Sequence, residues 1–379
     1  MGHAWLGPAL RAQSMAAVAV MAAFLMALAA GLDFGTGIQL GVLLGGMVVT
    51  GMPHGAFDHL VARRVLAPRL GRFWAAPFLA GYLGLAGVVW LAWMLAPAAT
   101  LAAFLAISVA HFGLGDTEDG LAPASVSRVA TVLAYGALPL LLPMALHPAE
   151  AAPVLAAMAG VPDAAMERTL RAAAWLLPAW AAAFGWVAFA AWRERRGVAE
   201  RLATVACFVL LPPLLSFGLY FGLGHAIRHM LRLGAWHDPR DPRAAARWLA
   251  RTAIPAGAAC AVSLGAMALA GLDTTVALLT PGFRLIAALT LPHMAVTAWL
   301  DGHPPNLGRH GAFRTGINRR PPMPDTETPK PTDAASAPNP KTGSSDAARG
   351  VGGHSKDASQ EPGAPAEYVE KGQSIPPKD

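Results

Sequence analysis

The stretch LATVACFVLLPPLLSFGLYFGLGHAIRHMLRL, residues 202–233, is apolar over most of its length and ends with two histidines four residues apart. A helix needs about 20 apolar residues to cross a hydrocarbon core, and this run has enough. The pair Pro212 and Pro213 interrupts it, however, and prolines break helices. We therefore predict two segments, 202–212 and 214–233, that form a short crossing or a re-entrant pair.

The rest of the chain carries further apolar runs. Its 379 residues are 55% hydrophobic and 14% charged, which a water-soluble domain would not normally tolerate. Lipid offers no partner to an open backbone, so the runs should be helices. The runs are 15–32, 36–53, 73–96, 98–114, 128–146, 171–192, 251–271 and 283–300. We predict an all-α polytopic transmembrane helical bundle of about nine to ten membrane segments, with 1–302 as the transmembrane catalytic domain.

Three arginine-rich stretches, 63–72, 193–201 and 228–251, predict the orientation. Loops rich in Lys and Arg stay in the cytoplasm, and the break at the proline pair allows all three to lie on that side. We expect a multi-pass protein of the inner (plasma) membrane, with the N-terminus and the C-terminal tail cytoplasmic. The net charge of +6 fits retained loops better than nucleic-acid binding, so no nucleic-acid partner is expected.

The composition changes abruptly after Asp301. Of the 32 prolines, 13 fall in the last 79 residues, among Ser, Thr, Asp, Lys and Gly. Such a segment has too little apolar surface to form a core. We predict a disordered Pro/Ser/Thr-rich tail over 303–379.

Six of the twelve histidines lie within or at the ends of apolar runs. A polar side chain in the bilayer is costly unless it is paired or binds something. A single one is usually a packing residue, but six in four segments favour a site. They are His54, His59, His111, His225, His229 and His293.

One metal site is the interpretation we favour for these histidines. His225 and His229 are four residues apart and share a helix face, so both imidazoles can reach one centre. Zinc proteases place a glutamate after the first histidine, where this chain has Ala226, which disfavours that hydrolytic mechanism. With His54 and His111 added, we predict four metal ligands, on helices that run in one direction. Imidazoles without thiolates suit iron, zinc, copper or nickel.

Other polar groups are candidates to support the ligands or to relay protons. Metal-bound histidines usually donate their second N–H to a carboxylate or carbonyl. Asp58 follows His54 by four residues and Asp116 follows His111 by five, although Asp116 fits helix capping equally well. The candidates for these roles are Asp58, His59, Asp116 and His293. His293 could also be a further ligand or a packing histidine, and His59 could instead lie on the cytoplasmic surface.

Aromatic residues crowd the same segments. Most aromatic residues in a helical bundle are core packing, but some can line a channel for a long apolar molecule. The candidates for such a substrate channel are Phe57, Phe112, Phe217, Tyr220 and Phe221.

Four motifs carry a family resemblance. GMPHGAFDHLVARR (51–64), AHFGLGD (110–116), GHAIRHMLRL (224–233) and LPHMAVTAWLD (291–301) resemble, in order and spacing, those of the Brp/Blh family of bacterial and archaeal beta-carotene 15,15′-dioxygenases. The resemblance covers roughly residues 35–302 and excludes the tail.

The resemblance implies a function and a ligand set. The family's motif histidines, regarded as ligands of a non-haem Fe(2+), match His54, His111, His225 and His229 here. The implied reaction is dioxygen-dependent cleavage of the central 15,15′ double bond of beta-carotene to two all-trans-retinal molecules, which would supply a microbial rhodopsin. This chain departs from the family pattern at Phe57, where we expect a small aliphatic residue, and at Ala226, where a small polar residue is common.

Three other functions remain alternatives. A membrane haem-binding electron-transfer protein would use histidine pairs on separate helices. A histidine-box non-haem iron desaturase or hydroxylase acting on lipid generally needs eight or more histidines on polar segments, whereas this chain has six candidates in apolar runs. A divalent-metal transporter would need carboxylates along a path within the spans, and the apolar runs contain few.

Overall fold

A computed structural model describes residues 5–117, 122–194, 198–270 and 274–302. In the last of these ranges, side chains are described only as far as Ala298. Within these ranges the chain forms helices joined by short turns and contains no strand. The predicted all-α class is therefore confirmed. The predicted tail, 303–379, lies outside the described residues.

Fifteen α-helices are assigned within the described ranges. They are α1 Leu6–Ala29, α2 Thr36–Gly46, α3 Met52–Ala56, α4 Asp58–Leu70, α5 Ala75–Leu95, α6 Pro97–Thr117, α7 Arg128–Leu146, α8 Pro148–Ala159, α9 Asp163–Ala173, α10 Leu177–Arg193, α11 Ala199–Leu210, α12 Pro213–Leu219, α13 Ala226–His237, α14 Pro242–Leu269 and α15 Thr275–Gly302. One π-helical turn, Met47–Gly51, joins α2 to α3, and another, Tyr220–His225, joins α12 to α13.

Eight helices in the described part of the chain are long and apolar enough to cross a membrane. They are Leu6–Ala29, Thr36–Phe73, Ala75–Leu95, Pro97–Thr117, Arg128–Leu146, Asp163–Arg193, Pro242–Leu269 and Thr275–Ala298. Large apolar side chains such as Leu95, Trp186 and Val262 are exposed on their outer faces. An exposed apolar surface of this kind suits lipid, so the chain is a multi-pass membrane protein.

The predicted break in 202–233 is confirmed. Leu211 and Pro212 have extended backbone, with ψ of 154° and 147°, and they separate α11 from α12. With 12 residues, α11 is about 18 Å long and cannot cross a hydrocarbon core of about 30 Å alone. It packs against α1 and α7, so other helices of the protein cover it.

The two π-helical turns contact each other. The candidate ligand His54 lies shortly after the first turn, and His225 is the last residue of the second. A π turn opens the helical ladder and leaves carbonyl groups without their usual partner, and such turns are frequent at functional sites. Side chains from other segments bond these carbonyls. Thr50 donates to the carbonyl of Gly222 at 3.0 Å, and Gln13 of α1 donates to the carbonyl of Leu223 at 2.7 Å.

Glycines allow the helices that carry these turns to approach closely. A Cβ added to Gly218 would lie 2.9 Å from the Cα of Leu43, and one added to Gly222 would lie 3.2 Å from the Cα of Gly46. Small residues at such contacts let two membrane helices pack backbone to backbone. The close packing of α2 against α12 thus brings the segments that bear His54 and His225 together.

Candidate metal centre

Histidines from three distant parts of the chain meet between the helices. His54 lies in α3, His111 in α6, and His225 ends the second π turn. One ring nitrogen of each lies within 4.8 Å of the nitrogens of the other two, an arrangement that can hold a metal ion. The structure thus brings together three of the four predicted ligands.

The spacing of two of these rings fits shared coordination. Nε2 of His225 lies 3.2 Å from Nε2 of His111. Two nitrogens bound at right angles, each about 2.1 Å from a metal, stand about 3 Å apart. His225 is buried and His111 is partly buried, so the pair is shielded from bulk solvent.

His229 lies one helical turn after His225 and beside His54. The centroids of the His54 and His229 rings are 5.8 Å apart, and the rings are nearly perpendicular, at 89°. His229 stands outside the compact group of three nitrogens. Its predicted role as the fourth ligand remains a prediction.

His293 of α15 also enters the cluster. Its ring centroid lies 5.1 Å from that of His54, 5.5 Å from that of His111 and 5.6 Å from that of His229. The side chain is buried. The structure therefore brings the rings of five of the six candidate histidines together, and His293, like His229, stands outside the compact group of three nitrogens.

Asp58 contacts His293. Nδ1 of His293 lies 2.9 Å from Oδ1 and 3.0 Å from Oδ2 of this carboxylate, and the Tyr82 hydroxyl donates to Oδ2 at 2.9 Å. His54, which we expected Asp58 to support, instead bonds through Nδ1 to the carbonyl of Gly51. Each ring thereby has one nitrogen bonded outside the cluster.

Asp116 faces His225, with Oδ1 3.6 Å from Nδ1 of that ring. Its Oδ2 accepts from Nη1 of Arg201 at 2.9 Å and from the Tyr220 hydroxyl at 3.0 Å. Asp116 is fully buried, so it does not lie at a solvated helix end. Helix capping and the support of a histidine were both open roles for Asp116, and this geometry fits the second. The histidine that Asp116 faces is His225, however, and not His111.

The Asp116 contacts belong to a buried group of four charges. Nη2 of Arg228 lies 2.8 Å from Oε1 of Glu200 and 3.8 Å from Oδ1 of Asp116. Two carboxylates thus face two guanidinium groups, and the group is neutral overall. Charges at this depth are tolerable only when they are paired in this way.

The remaining sequence candidates divide between the centre and other places. Phe112 and Phe221 contact the His225 ring, at centroid distances of 5.0 and 6.0 Å. Phe217 stacks on Phe221 at 5.7 Å, whereas Phe57 is buried away from the cluster against Trp248, at 5.1 Å. Phe112, Phe217, Phe221 and Tyr220 therefore form one aromatic wall beside His225.

His59 lies on the outside of α4. Its side chain is exposed, and Nδ1 bonds the carbonyl of Ala56 at 2.7 Å. The structure does not bring it to the cluster.

An apolar cavity of about 320 Å³ opens between α4, α5 and α15. Its lining includes Val65, Phe78, Gly81, Tyr82 and Pro292. Tyr82 bonds Asp58, and Pro292 precedes His293, so the cavity ends close to the histidine cluster. A mostly apolar cleft with few polar groups is the usual form of a site for a hydrophobic ligand.

Sequence reasoning missed Tyr82, Glu200, Arg201 and Arg228. Arg201 and Arg228 fall in the arginine-rich stretches that predict cytoplasmic loops, but both are buried in ion pairs. For Arg201 a usable signal was Glu200, which precedes it directly, whereas Arg228 has no acidic neighbour in the sequence. Tyr82, in an otherwise apolar run, had no such signal.

Comparison with known proteins gives consistent matches. A family model described as beta-carotene 15,15′-dioxygenase matches residues 45–301. A protein of Halobacterium salinarum named probable beta-carotene 15,15′-dioxygenase Blh is 34% identical over 288 residues, 68% of this chain and 83% of that protein. A second protein of Halobacterium salinarum, named probable beta-carotene 15,15′-dioxygenase Brp, is 26% identical over 329 residues, which are 75% of this chain and 89% of that protein. No solved structure matches the chain significantly.

Proposed function

We propose that this chain, which belongs to the beta-carotene 15,15′-dioxygenase family and is a dioxygenase, cleaves the central 15,15′ double bond of beta-carotene with dioxygen. The products would be two all-trans-retinal molecules. The reaction would take place at a non-haem ferrous iron held by four histidines. The proposed ligands are His54, His111, His225 and His229. The observation that carries the proposal is the convergence of the first three of these imidazoles between membrane helices.

The donor set supports a metal of this kind. Neutral imidazoles without thiolates suit iron among the transition metals. Gly51 bonds Nδ1 of His54, which leaves Nε2 of that ring to present its lone pair. Iron, when bound, supplies the redox chemistry that lets dioxygen react with a carbon–carbon double bond.

The protein's own side chains orient the ligands and exclude water. Asp116 faces Nδ1 of His225 and favours the tautomer in which Nε2 is free to bind. The aromatic wall of Phe112, Phe217, Tyr220 and Phe221 lies beside that ring and presents an apolar surface to a polyene, and Phe112 also contacts the His111 ring. The neighbouring apolar cavity would receive one end of the substrate.

The proposal includes the cellular setting. A carotenoid partitions into the bilayer, so a multi-pass enzyme can take it up laterally. We assign the protein to the inner (plasma) membrane with the N-terminus and the tail in the cytoplasm, because basic loops favour that side. Retinal would pass to a rhodopsin in the same membrane.

Expression in carotene-accumulating cells tests the function. The full chain should bleach the cells and produce retinal, detected by chromatography, whereas His225→Ala should leave the colour unchanged. His59→Ala, which alters an exposed histidine outside the cluster, is the matched control and should behave as the unaltered chain. Correctly folded protein that produces no retinal would contradict the proposal.

The metal is tested on the purified protein in detergent. A chelator should abolish retinal formation, and Fe(2+) should restore it where Zn(2+) does not. An intense Soret band in the absorbance spectrum would instead indicate haem and would contradict the non-haem assignment.

A further inference from the structure

We propose that His293 is itself a ligand of the metal centre, held in place by Asp58 and Tyr82. This inference rests on the proposed centre and extends it, since the four proposed ligands, His54, His111, His225 and His229, do not include His293. Four steps of geometry and chemistry support it.

The first step is position. The His293 ring lies within 5.1 to 5.6 Å of the rings of His54, His111 and His229, measured between centroids. A histidine that only supported a ligand would stand behind that ligand, with one ring between it and the centre. His293 instead contacts three rings of the cluster directly.

The second step is the tautomer. An ionised carboxylate only accepts hydrogen bonds, so Nδ1 of His293 must donate to Asp58, from which it lies 2.9 Å. In the neutral ring the remaining lone pair is then on Nε2. Tyr82 donates to the same carboxylate at 2.9 Å and fixes its position.

The third step is the partner that Nε2 lacks. Among the described residues this buried nitrogen has no hydrogen-bond partner. Buried polar atoms in native proteins are nearly always satisfied. A packing histidine would have both nitrogens satisfied, whereas a metal ligand has one nitrogen bonded to a carboxylate and the other directed at the metal.

The fourth step concerns proton relay. A relay needs a hydrogen-bonded path that ends at a polar medium. Here the path from His293 leads through Asp58 to Tyr82, and Tyr82 lines the apolar cavity. This path ends in an apolar space, which favours coordination as the role of His293.

Binding of Co(2+) to the metal-stripped full-length protein in detergent tests the inference without relying on activity. His293→Ala and His293→Gln should each lower Co(2+) affinity at least about 100-fold and change the visible absorption spectrum, because the metal loses a nitrogen donor. Asp58→Asn should lower the affinity about 10- to 100-fold, the usual effect of losing the hydrogen-bond partner of a ligand. His59→Ala, one residue from Asp58 but exposed, is the matched control and should keep both values.

The outcomes separate this inference from the proposed function. Unchanged Co(2+) affinity in either His293 variant would overturn it, and so would lower affinity with an unchanged spectrum, because His293 would then act through other ligands. The Gln variant keeps most of the side-chain volume, so it serves if the Ala variant does not fold. Retinal formation by the unaltered chain is scored separately; its absence contradicts the function, while the Co(2+) spectra still report on His293.

Discussion

Nδ1 of His225 lies 3.6 Å from Oδ1 of Asp116, so this ring faces a buried carboxylate with one nitrogen and His111 with the other. The same carboxylate accepts hydrogen bonds from Arg201 and Tyr220. Asp116 therefore links the histidine cluster to the buried ion pairs. Changes to these charges should affect both the stability of the bundle and the metal centre.

Asp116→Ala should destabilise the protein by about 3–5 kcal/mol, since removing one partner leaves buried charge uncompensated. Arg201 and Arg228 would lose the carboxylate that both face. The free energy of unfolding, measured by denaturant titration in detergent micelles, checks this. Asp241→Ala removes an exposed helix cap and an exposed ion pair with Arg247, and should cost about 1 kcal/mol. An equal loss in the free energy of unfolding for Asp116→Ala and Asp241→Ala would contradict the prediction.

Gly113→Ala should lower retinal formation about 100-fold. A Cβ at this position would overlap the carbonyl oxygen of Val132, so α6 must move away from α7. His111 lies two residues earlier on α6, and displacement of a site by about 1 Å can cost about 100-fold in rate. The rate of retinal formation by purified protein is the measurement.

The control for Gly113→Ala is Gly87→Ala on α5. Among the described residues, no atom outside the neighbouring backbone of α5 lies within 4 Å of a Cβ added at Gly87. Alanine also favours a helix over glycine by roughly 0.5–1 kcal/mol, so this variant should keep its activity and stability. Equal activity of the two variants would show that the α6–α7 contact does not position His111.

Gly81→Phe should raise KM for beta-carotene several-fold with little change in kcat. Gly81 lines the apolar cavity, and a phenyl ring there would occupy part of its volume of about 320 Å³. An interaction that binds substrate and transition state equally changes KM alone. Steady-state kinetics in mixed micelles provide both constants. Gly87→Phe, on the same helix but outside the cavity, should leave both unchanged, and the same rise in KM there would contradict a role for the cavity.

Thr50→Val should destabilise the protein by about 1–3 kcal/mol, the cost of leaving a buried acceptor unsatisfied. Thr50 donates to the carbonyl of Gly222 within the second π turn at 3.0 Å. Thermal unfolding followed by circular dichroism provides the comparison. Thr169→Val removes an exposed hydroxyl that bonds within its own helix, so its midpoint should shift less. A larger shift for Thr169→Val would refute the assigned role of Thr50.

The sequence predicted the helices well where hydrophobicity alone determines them. The run 128–146 matches α7, and the proline pair predicted the end of α11. Helix α8 was missed, because Pro148–Ala159 is short and contains two prolines and a glutamate. It is nonetheless buried against α6 and α15, a packing relationship that no local pattern reveals.

The histidine cluster was predictable because imidazoles in apolar runs are costly and so indicate a site. The partners of these histidines were less predictable. Asp58 is near His54 in sequence but bonds His293, 235 residues away. Sequence spacing identifies partners on one helix face, whereas the bonding partner of His293 depends on how α15 packs against α4.

The two π turns also affect how the chain tolerates insertions and deletions. Each π turn contains one residue more than the α-helical turn it replaces. The side chains that follow it are therefore rotated by about 100° around the helix axis relative to an uninterrupted α-helix. Deleting a single residue within Tyr220–His225 would restore ordinary winding and turn His229 toward a different neighbour. Surface loops generally tolerate changes in length, whereas we expect the spacing within these two helical segments to be fixed to the residue.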